Sequence, residues 1–153
     1  MIRLKNILIP TDLSEYARHV LPYAAEFARA YDAKIILAHV VDMHWAGSVA
    51  SAEFPGMVES QIESSKKAAV EAMEAMRAEL GDAPVEVQVL MGSPHVEIVR
   101  HARSEDVDLI ILATHGRTGL AHALIGSVAE KVVQMAPCPV LTIKHPEHEF
   151  VLP

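Results

Sequence analysis

The segment from Ala113 to Ser127 combines small residues with groups that can hold an anion. It contains three glycines, an arginine and a serine, namely Gly116, Gly119, Gly126, Arg117 and Ser127. Because glycine lacks a Cβ, backbone N–H groups can close around a phosphate, and the N-terminus of a following helix adds donors and partial positive charge. Ser127 would open that helix and offer its hydroxyl, while Arg117 could reach the outer phosphates. The segment therefore predicts a phosphate-binding loop.

The same residues also have structural interpretations. Ser127 and Glu130 form an S-x-x-E capping box, and Gly119 and Gly126 could simply serve a turn or a tight approach to the helix. Asp12, which follows the first apolar run, could cap a helix or bond its own turn, and spacing alone favours that role. Walker, GxGxxG and SGGxDS patterns do not occur, which argues against the P-loop, Rossmann and pyrophosphatase loop classes.

Composition limits the classes of function. A chain of 153 residues with 51% hydrophobic and 22% charged residues is sized for one folded domain. The formal net charge of -7 argues against a nucleic-acid partner, so a bound anion must be held locally.

The 9 histidines are scattered, and residues 145–148 lack a third ligand, so we expect no metal site. With 1 cysteine, Cys138, and no apolar run of membrane-spanning length, we expect a cytoplasmic protein without membrane insertion.

Short apolar runs alternate with stretches of helical periodicity. The runs are residues 6–10, 34–41, 85–91, 107–113 and 140–144. This alternation predicts a single doubly wound α/β domain, in which a five-stranded parallel sheet carries helices on both faces.

Several local signals mark where the helices begin. The predicted starts are Ser14, Ser93-Pro94 and Ser127. Pro22 falls inside the first helical pattern and predicts a kink or a late start there. A second helix is expected over about residues 58–80, with its methionines filling the core, and the irregular segment 42–56 could form a mobile flap.

Ligands of open parallel sheets bind beyond the carboxyl ends of the strands. Unusual residues follow three of the runs, namely Pro10-Thr11-Asp12, His39 to Asp42, and Thr114 to Gly119. His115 lies in the last of these, where it could contact a phosphate or a water, or be a simple loop histidine. Asp12 and Arg117 are the evident candidates for hydrolysis, and no motif places a second carboxylate, so we assign no catalytic residue.

The two ends of the chain and the glycine-bearing segment together resemble the universal stress protein family. The matching ends run Asn6-Ile7-Leu8-Ile9-Pro10-Thr11-Asp12 and Pro137-Cys138-Pro139-Val140-Leu141-Thr142-Ile143-Lys144. The ATP-binding branch of the family is marked by G-x2-G-x9-G-(S/T), and Gly116 with Gly126-Ser127 matches its second half. Ala113 stands at the first glycine position, where alanine is the smallest alternative side chain.

The resemblance implies a sheet of order 3-2-1-4-5, a family domain over residues 1–147 and a short tail over residues 148–153. It also implies ATP as the ligand, with or without Mg²⁺, and a homodimer formed through the final strand from Val140 to Lys144. An apolar edge strand benefits from such a partner.

The resemblance further implies the residues of the binding site. Pro10, Thr11 and Asp12 would bracket adenine and ribose, and Val40 and Leu112 would line the adenine slot. The expected phosphate contacts are Gly116, Gly126, Ser127 and Val128. Ala113, His115 and Arg117 complete the predicted site.

We therefore expect an ATP-binding module of a stress or regulatory response, with slow or no hydrolysis. One alternative is a genuine ATPase or phosphotransferase, in which Arg117 and His115 act on the γ-phosphate. The other is a nucleotide-free dimerisation module, which Ala113 and the capping box favour.

Overall fold

The computed structural model describes residues 1–44, 54–115 and 125–144. Its strands are β1 (Asn6–Pro10), β2 (Lys34–Asp42), β3 (Val85–Gly92), β4 (Leu109–Ala113) and β5 (Val140–Ile143). Its α-helices are α1 (Glu15–Arg18), α2 (Leu21–Tyr31), α3 (Pro55–Arg77), α4 (Pro94–Ser104) and α5 (Ser127–Met135), and a 3-10 turn (Ala78–Leu80) follows α3.

The five strands form one parallel sheet in the order β3-β2-β1-β4-β5. The predicted fold class and strand order are thus confirmed. β1 occupies the centre and pairs with β2 through to Pro10 and Ala38, whereas its ladder with β4 ends at Leu8 and Ile110. Because β1 and β4 continue past that last pair, they leave a crevice at the carboxyl edge of the sheet.

Both faces of the sheet are buried under helices. Ile7 and Ile9 of β1 pack into a core with α2 and α3, whereas the intervening Leu8 packs into a second core with α4 and α5. Alternate side chains of a strand point to opposite faces, so a strand that is covered on both sides must be apolar throughout. This requirement explains the continuous Val, Ile and Leu runs in the sequence.

The predicted helix starts are largely confirmed. The Ser14 hydroxyl accepts a hydrogen bond from Ala17 N at 3.3 Å and caps α1. Pro22 lies in the first turn of α2, as the predicted late start requires, and Pro94 opens α4 after Ser93.

The predicted irregular segment 42–56 is shorter than expected. Asp42 still belongs to β2, and α3 begins at Pro55 because proline suits the first turn of a helix. The rest of the predicted flap, at residues 45–53, and the predicted tail at 148–153 lie outside the described residues. Within the described part of the chain, no helix combines the length and apolarity needed to cross a membrane.

The methionines of α3 separate into core and surface positions. Met73 is fully buried, with 0% exposure, whereas Met57 near the start of the same helix is 70% exposed. We expect Met73→Ala to lower the free energy of unfolding by about 2–5 kcal/mol through lost packing and a residual cavity. The matched control Met57→Ala should stay within about 0.5 kcal/mol of wild type. Urea unfolding measures both, and equal losses would contradict the assignment of the core.

Candidate functional site

A cleft of about 420 Å³ lies at the carboxyl edge of the sheet, around the crevice between β1 and β4. Many of the sequence-predicted site residues line it, namely Pro10, Thr11, Asp12, Val40, Leu112, Ala113, His115, Gly126, Ser127 and Val128. Gly116 and Arg117 lie outside the described residues. The fold therefore brings together residues that are far apart in the sequence, and their binding role stays a prediction.

One part of the cleft is apolar. Val40, Leu112 and Ile98 line it and are buried members of the core under α4 and α5. Ile98 and Pro94 were not predicted, because they lie on α4 rather than directly after a strand. The Ser93-Pro94 helix start after β3 was the available signal, since it places the first turn of α4 at the same edge of the sheet.

Asp12 sits in a tight turn between β1 and α1. Its Oδ1 accepts hydrogen bonds from Ser14 N at 3.0 Å and from the Ser14 hydroxyl at 2.5 Å. Leu13 has a φ of 66°, in the left-handed region that a leucine rarely occupies. The structural role favoured by spacing alone, in which Asp12 bonds its own turn, is thus observed for a residue that also lines the cleft.

Two threonines occupy equivalent places at the ends of β1 and β4. Thr11 and Thr114 are buried, and each donates its backbone N–H to the neighbouring strand away from the crevice, to Ala38 O of β2 at 2.8 Å and to Ile143 O of β5 at 3.0 Å respectively. Thr114 was not among the predicted site residues. A threonine directly after an apolar run, repeated in two strands, was the signal that could have revealed it.

Two histidines border the cleft on opposite sides of β1. His39 Nδ1 lies 2.8 Å from the Thr11 carbonyl oxygen. His115 is buried, and its Nδ1 lies 2.9 Å from the Thr114 hydroxyl. His115 is therefore held within the wall of the cleft rather than on an open loop, and His39 joins the site as a residue that sequence reasoning did not select.

The N-terminus of α5 forms another part of the cleft. Gly126 is the residue before the helix, and its N–H donates to Thr114 O at 2.5 Å. The predicted capping box is wrong, because Ser127 is the first helical residue and Gly126, which has no side chain, takes the cap position. Among the described residues no side chain caps α5, so the first-turn N–H groups of Ser127, Val128 and Ala129 present the positive end of the helix beside the cleft.

Two carboxylates line the described part of the cleft, on Asp12 and Asp42. Hydrogen bonds from the backbone N–H of His44, at 3.0 Å, and from its ring lower the pKa of Asp42. Asp42 therefore stays ionised well into the acidic range. No group of three or more His, Cys, Asp and Glu side chains in the described ranges could hold a metal ion.

Gly126 is required by close packing and not by its φ, which is -71°. A Cβ at this position would lie 3.1 Å from the Thr114 carbonyl oxygen. We expect Gly126→Val to lower the free energy of unfolding by about 1–3 kcal/mol through overpacking. A Cβ at Gly56 would meet nothing within 4 Å, so the control Gly56→Ala should be neutral or stabilising by up to about 1 kcal/mol. Chemical denaturation distinguishes the two, and an undiminished midpoint for Gly126→Val would refute the packing explanation.

Comparison with known proteins identifies the family. The model of the universal stress protein family matches residues 3–144. Universal stress protein MJ0531 of Methanocaldococcus jannaschii is 34% identical over 95% of this chain and 85% of its own. Universal stress protein MJ0577 of the same organism is 35% identical over 94% of this chain and 96% of its own.

Solved structures agree with that result. The structure of MJ0577 is 36% identical, covers 94% of this chain and 98% of its own, and superimposes with a TM-score of 0.81. The universal stress protein of Archaeoglobus fulgidus, solved in complex with dAMP, is 25% identical over 94% of this chain and 100% of its own, with a TM-score of 0.64. The predicted resemblance is confirmed, and the chain belongs to the universal stress protein family.

Proposed function

We propose that the cleft binds an adenine nucleotide, with ATP as the preferred ligand. The observation that carries this proposal is the uncapped first turn of α5, which lines the same cleft as the apolar wall of Val40, Leu112 and Ile98. A nucleotide matches both parts of the cleft: the faces of its base are flat and apolar, like the wall, and its phosphates are anionic, as a helix N-terminus favours.

The apolar wall suits the adenine ring. Val40 and Leu112 are the predicted slot residues, and Ile98 extends that wall from α4. The carboxylate of Asp12 can accept a hydrogen bond from a ribose hydroxyl, with Pro10 and Thr11 beside it. The relative from Archaeoglobus fulgidus, which was solved with dAMP, supports this class of ligand.

The phosphates would lie at the N-terminus of α5. Ser127 can donate from both its hydroxyl and its N–H, and Val128 from its N–H. Gly116 and Arg117 are expected to complete the phosphate contacts, and the small side chain of Ala113 lines the cleft at the first motif position. Since the chain has a formal net charge of -7, such local donors are needed to offset its general repulsion of a polyanion.

Mg²⁺, where it accompanies ATP, would be held chiefly by the phosphates. Asp12 and Asp42 are the carboxylates that line the described part of the cleft, and each already accepts hydrogen bonds, from Ser14 and His44 respectively. No motif places a second carboxylate near the phosphates, so we expect slow or no hydrolysis. Single-turnover assays with Mg²⁺-ATP should show cleavage no faster than in buffer, and a faster rate would favour a true ATPase.

The chain would then act as a nucleotide-dependent regulatory module in the cytoplasm. A ligand that binds only the folded state stabilises that state, and the occupied fraction rises with ligand concentration. A partner protein that distinguishes the occupied from the empty cleft would therefore respond to nucleotide concentration. The half-buried Cys138, the chain's one cysteine, is suited to a reducing compartment, and burial raises the pKa of its thiol.

Val128 offers a test that separates binding from folding. It lies in the first turn of α5 and is 36% exposed. We expect Val128→Glu to weaken ATP binding about tenfold by charge repulsion. The free energy of unfolding should hold or rise by about 0.3–1 kcal/mol, since a carboxylate near a helix N-terminus is favourable. Titration calorimetry and urea unfolding measure the two effects.

The control for that variant is Val133→Glu, on the same helix. Val133 is 47% exposed and is not among the residues that line the cleft. Val133→Glu changes the net charge by the same amount as Val128→Glu, but away from the cleft. ATP affinity in the control should stay within about twofold of wild type. If Val128→Glu binds ATP as tightly as Val133→Glu, or if wild type binds no adenine nucleotide, the proposed function is wrong. Nucleotide released by heating the purified protein would count against a nucleotide-free module.

We also propose that the chain forms a homodimer through the strand from Val140 to Lys144. β5 is an edge of the sheet; the carbonyl of Pro139, just before it, accepts from Ile110 N, and the carbonyl of Ile143 accepts from Thr114 N. Because alternate residues direct their backbone groups to opposite sides, the N–H of Thr142 points to the open edge. An open apolar edge favours pairing with a second copy.

Thr142→Pro should therefore convert the dimer to a monomer while leaving the pairing of β4 with β5 intact. Thr142→Val keeps the N–H and serves as the matched control, which should remain dimeric. Size-exclusion chromatography with light scattering measures the mass of each. A dimeric Thr142→Pro variant, or a monomeric wild type, would exclude this interface.

A further inference from the structure

We propose that His39 of β2 is a positioning residue for the nucleotide, acting through the turn that carries Asp12. The inference rests on the proposed function and adds to it a residue that contacts the start of that turn at Thr11. Its basis is a hydrogen bond of 2.8 Å between His39 Nδ1 and the Thr11 carbonyl oxygen, made where β1 leaves the sheet.

The imidazole continues the sheet where the backbone ladder stops. Thr11 N donates to Ala38 O at 2.8 Å, and the paired register of β1 and β2 ends at Pro10 and Ala38. A regular parallel ladder would next join the Thr11 carbonyl to the Val40 N–H. The His39 ring supplies a donor to that carbonyl from the side chain, so β1 and β2 can separate where Val40 lines the cleft.

The same hydrogen bond fixes the protonation of one ring nitrogen. A carbonyl oxygen can only accept, so His39 Nδ1 must carry the hydrogen and donate it. β2 therefore holds both peptide groups of Thr11, its N–H through Ala38 and its carbonyl through His39. Thr11 is buried, and a buried carbonyl deprived of its donor is costly.

The turn beyond Thr11 needs this external support. Leu13 adopts a φ of 66°, a conformation that persists only where its surroundings hold it. The bonds within the turn are local, from Leu13 N to Thr11 Oγ1 at 3.0 Å and from Ser14 N to Asp12 Oδ1 at 3.0 Å. His39 reaches the turn from another strand, so it anchors the whole turn, and with it the Asp12 carboxylate, to the sheet.

Two substitutions separate the hydrogen bond from the bulk of the ring. His39→Leu removes the donor and retains an apolar side chain of moderate size. His39→Asn retains a donor at the same number of bonds from the backbone, because Asn Nδ2 and His Nδ1 are both attached to Cγ. We expect His39→Leu to weaken ATP binding about tenfold, and His39→Asn to stay within about threefold of wild type.

A double-mutant cycle tests whether His39 acts through Asp12. In an Asp12→Ala background, His39→Leu should weaken ATP binding by less than about twofold further, because the group that it positions is gone. Titration calorimetry on the four proteins gives the cycle. In nucleotide-free protein, the amide hydrogens of Leu13 and Ser14 should exchange about tenfold faster in His39→Leu and near the wild-type rate in His39→Asn.

Each outcome bears on the proposal in a defined way. If wild type binds no adenine nucleotide, the proposed function and this inference both fall. If wild type binds ATP and His39→Leu binds it equally well, only the inference about His39 is overturned. Failure of His39→Asn to restore affinity, or additive effects in the cycle, would likewise overturn it, because either result assigns the loss to general packing of the ring.

Discussion

The separation of β1 from β4 at the centre of the sheet is the constraint on which the site depends. Their ladder ends at Leu8 and Ile110, although both strands continue toward the carboxyl edge. From β1 the chain winds outward to β2 and β3, then crosses to β4 and β5 on the other side. The helices that follow β1 and β4, namely α2 and α5, cover opposite faces of the sheet, so the crevice between the two strands stays uncovered.

The ends of β1 and β4 are held apart at this crevice because their backbone N–H groups form hydrogen bonds on the side away from it. Thr11 and Thr114 direct their backbone N–H groups to the strands beside them, to Ala38 O of β2 and Ile143 O of β5, and not toward each other. Closing the crevice would break these buried hydrogen bonds, which costs free energy. The Thr114 carbonyl also accepts from Gly126 N, which sets the N-terminus of α5 directly beside the opening.

The charge of the chain makes that helix N-terminus important. With a formal net charge of -7, the surface as a whole repels polyanions, and the described lining of the cleft adds the carboxylates of Asp12 and Asp42. Specific donors at short range can outweigh this diffuse repulsion, because salt screens distant charges and leaves close contacts largely intact. The first turn of α5 is therefore the part of the described cleft at which backbone donors oppose this repulsion.

Local signals in the sequence predicted the strands, the doubly wound class and most helix starts, because hydrophobic periodicity, Ser14, Pro22 and Pro94 act over a few neighbouring residues. The strand order came from family resemblance, since periodicity does not say which strands are neighbours. The same resemblance named residues on β1, β2, β4 and α5 that do gather around one cleft.

How those residues are held depends on tertiary contacts that local spacing does not encode. The capping-box interpretation of Ser127 failed because Gly126 takes the cap position and Ser127 is the first residue of the helix. His39 and Thr114 were noted at the strand ends but not placed in the predicted site, and Ile98 was not noted, because their roles come from contacts between separate strands and helices. Local spacing predicts which groups are available, whereas the crossing of the chain at the switch point decides which of them meet.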